Sequence, residues 1–345
     1  DEVRLASLQL QGMKDSRERL QSGTFRAHGR HSDRGSELGQ FEAEVDILCA
    51  FDYGADLFRF DHIRPVKIAR LADEHWDRKA SERAVQDERI EQRVLRYVRT
   101  PDYSLHWYNA DRHRVRRRRP DAEPPGQFKP FDVRALGLIF RRGVLNGIGF
   151  GEICALLSQQ EVIEVAREAP RICRLTWVLG EGDHLQRTIW FDEQCGFSPI
   201  RLELRNVDRS TEPPTLARLR QTSEVTWSQI NGAWVPKTYR VEEHMGADNV
   251  RIIELAFEWE SVNQPVAAEL FTAAGLELPP RTQVLSTELG KTVLLGYAED
   301  DDLAPAPQPR FSQARTAAIA GSLLLLVLFL AVALWVRRYR RPRTS

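Results

Sequence analysis

The stretch "RIIELAFEWESVN", Arg251 to Asn263, places Ile253, Leu255, Phe257 and Trp259 at every second position, with Glu254, Glu258 and Glu260 at the alternate ones. Successive side chains of a strand point to opposite faces, so this period predicts a strand with one dry and one wet face. A dry sheet face has to be covered by something. The constraint therefore extends beyond the segment: the chain must build an antiparallel sheet and supply a cover for it.

Other segments repeat the pattern. Phe41, Ala43, Val45 and Ile47 share one face opposite Glu42, Glu44 and Asp46. "RICRLTWVLG", "RTIWFDE", "PIRLELRNV" and "LARLRQTSEVTWSQI" are strand-like runs separated by turn residues, and they predict a meander. Asn231-Gly232 predicts a tight hairpin, because a type I′ turn needs positive φ at both central positions. Pro236, just beyond it, predicts an edge or a bulge. Further strands are expected around the turn at Pro101, and "RHRVRRRRP", Arg112 to Pro120, is read as a solvated hairpin tip, with attraction of lipid phosphates or anionic polysaccharide as the alternative. The charged span Ala72 to Gln92 fits either a solvated helix or an excursion between strands.

Two helices are expected. The first carries Leu5, Leu8 and Leu20 and stops at Gly23; the second runs from about Glu152 to Gln160. Strands outnumber helices, so the fold class is α+β, a mainly antiparallel sheet with these helices as lids.

From Ala317 to Val336 there are 20 residues without a charge, long enough as a helix to cross a bilayer core of roughly 30 Å. Twelve of them are Leu, Ile, Val or Phe, which sum to about −4 to −7 kcal/mol on an insertion scale. Five arginines (Arg337, Arg338, Arg340, Arg341, Arg343) follow it, and Arg310 and Arg315 precede it near the acidic run Glu299 to Asp302. The positive-inside rule puts that tail in the cytoplasm. The expected organisation is an extracytoplasmic domain over 1–298, an acidic, Pro-rich spacer over 299–316, a transmembrane helix over 317–336 and a basic cytoplasmic tail over 337–345. The chain is thus expected in the cytoplasmic membrane, single-pass, after removal of a signal peptide.

The formal net charge is +0, which together with export argues against nucleic-acid binding. Cys49, Cys154, Cys173 and Cys195 allow one or two disulfides in any of three full pairings, with buried free thiols as the alternative. None of the six asparagines begins a glycosylation sequon, which favours a bacterial setting. "GIGFGE", Gly147 to Glu152, lacks the βαβ context and glycine spacing of a dinucleotide site, so no cofactor is expected. His28 and His31 have no third ligand nearby in sequence, and no metal is expected. Asp192 and Glu193 read as capping or solvent residues, with no nucleophile and base beside them. The expectation is a protein that is not an enzyme.

"IWFDEQCGFSPIRLEL" carries Trp190, Asp192, Gly196, Pro199 and Arg201, and resembles the signature meander of the LolA-like superfamily of bacterial lipoprotein-localisation factors. "NGAWVPKTYRV" is similar to that family's hairpin whose return strand begins Trp-x-Pro (Trp234, Pro236). "FEWESVNQPVAAELFT" resembles its closing strand and turn (Phe257, Asn263, Pro265, Phe271). The resemblance covers about Arg171 to Thr272 well and the N-terminal half in outline. It implies an open, strongly curved antiparallel half-barrel whose mouth is plugged by helices and whose concave apolar face accommodates acyl chains.

The family's carriers are soluble shuttles, and a chain anchored in a membrane cannot cross a periplasm. What carries over is a cavity for a lipid, lipoprotein or other hydrophobic ligand, with Leu202, Leu204, Ile253, Leu255, Phe257 and Trp259 as candidate lining residues. The alternative is a non-enzymatic interaction or envelope-assembly module with a filled core.

Overall fold

The computed structural model describes residues 2–34, 41–70, 87–109, 113–120, 131–138, 149–160, 162–179, 185–208, 215–245, 249–286 and 292–298. The spacer, the apolar segment 317–336 and the basic tail lie outside them. Among the described residues no helix is long and apolar enough to cross a membrane.

The strands are β1 (Ser22–Arg34), β2 (Phe41–Asp52), β3 (Leu57–Arg70), β4 (Asp87–Arg99), β5 (Ser104–Tyr108), β6 (Arg114–Arg118), β7 (Val162–Ala169), β8 (Ile172–Leu179), β9 (Leu185–Asp192), β10 (Ser198–Asp208), β11 (Thr215–Ile230), β12 (Ala233–His244), β13 (Val250–Val262), β14 (Gln283–Ser286) and β15 (Val293–Tyr297). The helices are α1 (Glu2–Arg17) and α2 (Phe150–Gln159). All the strands belong to one sheet, ordered β15-β14-β6-β5-β4-β3-β2-β1-β13-β12-β11-β10-β9-β8-β7. Neighbours pair antiparallel except β14, which lies parallel to β6. Strand twist accumulates over so many strands, so the sheet curls, and its ends, β15 and β7, stay open.

Two meanders, β1 to β6 and β7 to β13, are joined where β13 pairs with β1, from Gly23 opposite Val262 to Arg34 opposite Val250. The sequence reading passed over β1, because "SGTFRAHGRHSDR" offers few apolar residues. Its backbone does what its side chains do not. A Cβ at Gly29 would lie 1.7 Å from the Glu254 carbonyl oxygen, so glycine lets β1 approach β13 this closely. His28 and His31 are on this strand and go to separate carboxylates, His28 Nδ1 to Asp46 at 2.6 Å and His31 Nε2 to Asp33 at 3.3 Å.

Three expectations are refined. The first helix ends at Arg17 rather than running to Gly23, and its Leu8 faces solvent while Ala6, Gln9, Met13 and Arg17 are buried. The end of the charged span Ala72 to Gln92 is strand, since β4 starts at Asp87. Arg114–Arg118 is not a hairpin tip but β6, held inside the sheet between β5 and β14. There the Arg117 guanidinium lies 4.4 Å from the centroid of the Tyr103 ring, a cation–π contact.

The inner face holds the main core, from Met13 and Leu20 through Phe25, Phe51, Phe60, Trp177, Phe191 and Tyr239. A second core lies on the other face of the β2 to β6 half, where Phe271, Leu276, Val284 and Leu295 cover Ala50, Val98, Leu105 and Val115. On that outer face, Arg59 and Asp61 form a buried pair at 2.6 Å, and Arg59 also donates to the Gly275 carbonyl at 2.7 Å. That pair pins the segment that wraps the outer face. All four cysteines are free; Cys49, Cys154 and Cys173 are buried, so the fold is held without a bridge.

Candidate functional site

The residues that carry the family resemblance prove to be turn and cap chemistry. Asp192 accepts from the Gln194 backbone N–H at 2.8 Å and caps the short helix Glu193–Cys195. Gly196 then takes φ 63°, where a Cβ would meet Ser16 Oγ at 2.2 Å and the Trp234 ring at 2.6 Å. The carbonyls of Pro199 and Pro236 accept the indole N–H groups of Trp227 at 2.9 Å and Trp259 at 3.0 Å. The Asn231-Gly232 turn has φ of 47° and 77°, as a type I′ hairpin requires, and Pro236 sits at the irregularity in the β11–β12 register. Asn263 closes the ring of contacts: its side chain accepts from the Gln21 N–H and donates to the Arg19 carbonyl, both at 2.9 Å. These residues shape the frame against which α1 lies.

α1 lies against β7, β10, β12 and α2. α2 in turn is fixed at its start by Asp132, whose carboxylate accepts from the Phe150 backbone N–H at 3.2 Å, from the Tyr53 hydroxyl at 2.8 Å and from Arg134 Nη2 at 2.7 Å. Burial pushes the Asp132 carboxyl up, but the hydrogen bonds and charge of Arg134, with the Tyr53 and backbone donors, outweigh it and hold the carboxyl below its ordinary 3.8.

Between the two helices and the start of β7 runs a groove of about 580 Å³. α1 contributes Ala6, Leu10 and Met13; α2 contributes Cys154, Ala155 and Leu157; β7 contributes Val162. The rim is polar, with Lys14, Glu18, Gln11 and Ser158. Gln160, also on the groove, accepts from the buried Arg187 at 3.5 Å. Burial lifts the Cys154 thiol to about 11, so it lines the groove as a small apolar group rather than a nucleophile.

Arg17 is the residue for which the fold itself provides least. It is completely buried at the end of α1, and none of its three guanidinium nitrogens has a hydrogen-bond partner among the described residues. Its guanidinium carbon stands 3.4 Å from the centroid of the Trp227 ring. Burial pulls it down to about 9, with Asp132, Cys195 and Cys154 acting in the opposite sense.

The six candidate lining residues sit apart from this groove, and none of them lines it. Leu202, Leu255 and Phe257 are in the main core, Ile253 and Trp259 are packed against it, and Leu204 is buried farther along β10. Phe25 lies 5.4 Å from Phe257 and 4.8 Å from Trp259, ring centroid to ring centroid. The groove residues escaped the sequence reading because a helical stripe shows which residues share a face but not that the faces of two helices far apart in sequence meet. Among the described residues no group of three or more His, Cys, Asp or Glu side chains is placed to hold a metal ion.

No protein-family model matches the chain, and no curated protein matches it. Solved structures similar to it include a putative outer membrane lipoprotein-sorting protein domain from Vibrio parahaemolyticus, at 9% identity and TM-score 0.39, covering 79% of this chain and 99% of that one. Another is a LolA superfamily protein from Nitrosomonas europaea, at 13% identity and TM-score 0.36, covering 77% and 97%. A third is a DUF1329 family protein from Desulfovibrio piger, at 10% identity and TM-score 0.38, covering 80% and 100%.

Proposed function

We propose that this chain is an extracytoplasmic binding protein, held to the cytoplasmic membrane by the segment 317–336, that takes a lipid, or the lipid part of a lipoprotein, into the groove between α1 and α2. The observation that carries the reading is the groove itself, about 580 Å³ with apolar walls and a polar rim. Ligand sites fall in the range of about 300–1,000 Å³ and are lined in this way. The position of the walls supports it too: the groove lies between the two helices that cover the sheet, not inside the sheet itself.

The test uses the full-length chain in neutral detergent, with a dansyl-labelled fatty acid as reporter. Saturable fluorescence enhancement beyond protein-free micelles, reversed by unlabelled phospholipid, is expected. Enhancement no greater than that of the micelles rejects a lipid site. Anchoring is tested separately: protease added outside intact spheroplasts should remove the large domain and spare the basic tail.

The packing of Leu202, Leu255 and Phe257 in the main core favours a second reading, an interaction module whose sheet interior is filled. On that reading the reporter finds no site, and partner binding falls to an exposed edge such as β7, whose Ile163 is 51% exposed.

A further inference from the structure

Ala6, Leu10, Met13 and Arg17 follow one another at helical spacings of four, three and four, so they form one stripe along α1. The first three of them wall the groove, and the fourth is the buried guanidinium without a hydrogen-bond partner among the described residues. From the other side, Cys154 of α2 also lines the groove and lies within electrostatic reach of Arg17. Arg17 does not itself line the groove; it follows Met13 by one turn, wholly buried behind that wall, with its guanidinium on the Trp227 face. A cation taken out of water costs several kcal/mol unless an anion and hydrogen bonds meet it, and a ring face supplies only part of that.

We propose that the ligand is an anionic amphiphile whose carboxylate or phosphate enters first and pairs with Arg17, its apolar chain lying along the groove between Leu10 and Leu157. This deepens the proposed function and rests on it. Met13 is the residue that gives way. Its unbranched side chain has three rotatable bonds, so on this proposal it swings aside and opens the groove wall toward Arg17 without moving α1. Arginine suits the role because its planar fork of donors meets both oxygens of an acid group. Lys14 at the rim is the competing cation, half exposed and paired with Glu18 at 3.9 Å.

The experiment competes dodecanoate and dodecanol, equal chains with different polar ends, against the dansyl-labelled fatty acid on the full-length chain in neutral detergent. Protein-free micelles set the baseline. Dodecanoate is expected to displace the reporter at a concentration about tenfold lower than dodecanol, the difference a charge-assisted pair makes. Arg17→Met should bring the two within about twofold by weakening dodecanoate alone, while Lys14→Met keeps the preference.

Equal displacement by both ligands on the wild type overturns the pairing and leaves the groove standing. Loss of preference in Lys14→Met but not Arg17→Met moves the acid to the rim and overturns it as well. Displacement by neither ligand rejects the groove together with the pairing. Should Arg17→Met fail to fold, carboxyl-labelled dodecanoate bound to the wild type answers by NMR. Its carboxyl should stay ionised to lower pH than in micelles, and titration at the micellar value or above it overturns the proposal. A phosphate monoester of the same chain, run in parallel, identifies which acid is preferred.

Discussion

The Tyr53 hydroxyl donates to Asp132 at 2.8 Å, and the same carboxylate receives the first N–H of α2 at 3.2 Å, so the turn after β2 and the lid helix share one anchor. Arg134 closes the arrangement by lying 3.5 Å from the centroid of the Tyr53 ring. Besides the core packing of Phe150, Ile153 and Leu157, the start of α2 thus has one polar anchor.

Tyr53→Phe removes one donor and should cost about 1 kcal/mol in denaturant unfolding. Asp132→Ala strands Arg134, the Tyr53 hydroxyl and the α2 N–H together and should cost about 3 kcal/mol or more. Protection of the α2 amides against hydrogen exchange should fall before that of the central strands. Uniform loss over the whole sheet would refute the idea of a local anchor.

The same carboxylate sets an acid limit. Its folded pKa lies below the unfolded 3.8, so its contribution is complete above the unfolded value and is lost as pH falls through the folded one. Wild type should therefore lose stability below about pH 4 more steeply than Asp132→Asn, read as Tm against pH. Parallel curves would contradict this.

Arg59 and Asp61 are both nearly inaccessible, and each neutralises the other. Breaking the pair from one side, by Arg59→Met, should cost about 3–5 kcal/mol and free the segment from Ala268 to Leu276 for proteolysis. Replacing both, with Asp61→Leu added, should recover most of that loss, because no uncompensated charge then remains buried. A double variant no better than the single one would show that the Gly275 contact, not charge balance, governs the site.

Gly29→Ala would drive a methyl group into the Glu254 carbonyl across the β1–β13 pair. The two backbones must separate, and a loss of about 3 kcal/mol or more is expected, with hydrogen-exchange protection falling on β1 and β13 first. Little change in the unfolding midpoint would mean that the junction of the two meanders is looser than its register indicates.

Ala155→Trp places a large ring in the groove from an exposed position of α2. Binding of the dansyl-labelled fatty acid should weaken by about tenfold or more with Tm within a few degrees of wild type, since no core atom is displaced. Unchanged binding would place the ligand elsewhere on the chain.

Much of this architecture was legible in the residues alone. The alternation of Leu255, Phe257 and Trp259 with glutamates fixed β13, the Asn231-Gly232 pair fixed a hairpin, and the apolar run near Glu152 fixed α2, since each is decided by contacts only a few residues apart. The turn motifs pointed to the family resemblance for the same reason, being caps and close approaches made locally. What alternation cannot specify is the neighbour. It shows that Phe257 and Trp259 share a face, but not that Phe25 of an almost unmarked β1 lies beside them as their cross-strand neighbour on that face. Nor does any local pattern place α1 across the sheet with Leu8 outward and Arg17 over Trp227. In sequence Arg17 is an ordinary charged residue at the end of a helix. Only when α1 lies beside α2 and against β10 and β12 does it become a cation out of water, because burial belongs to the assembled fold rather than to any segment of it.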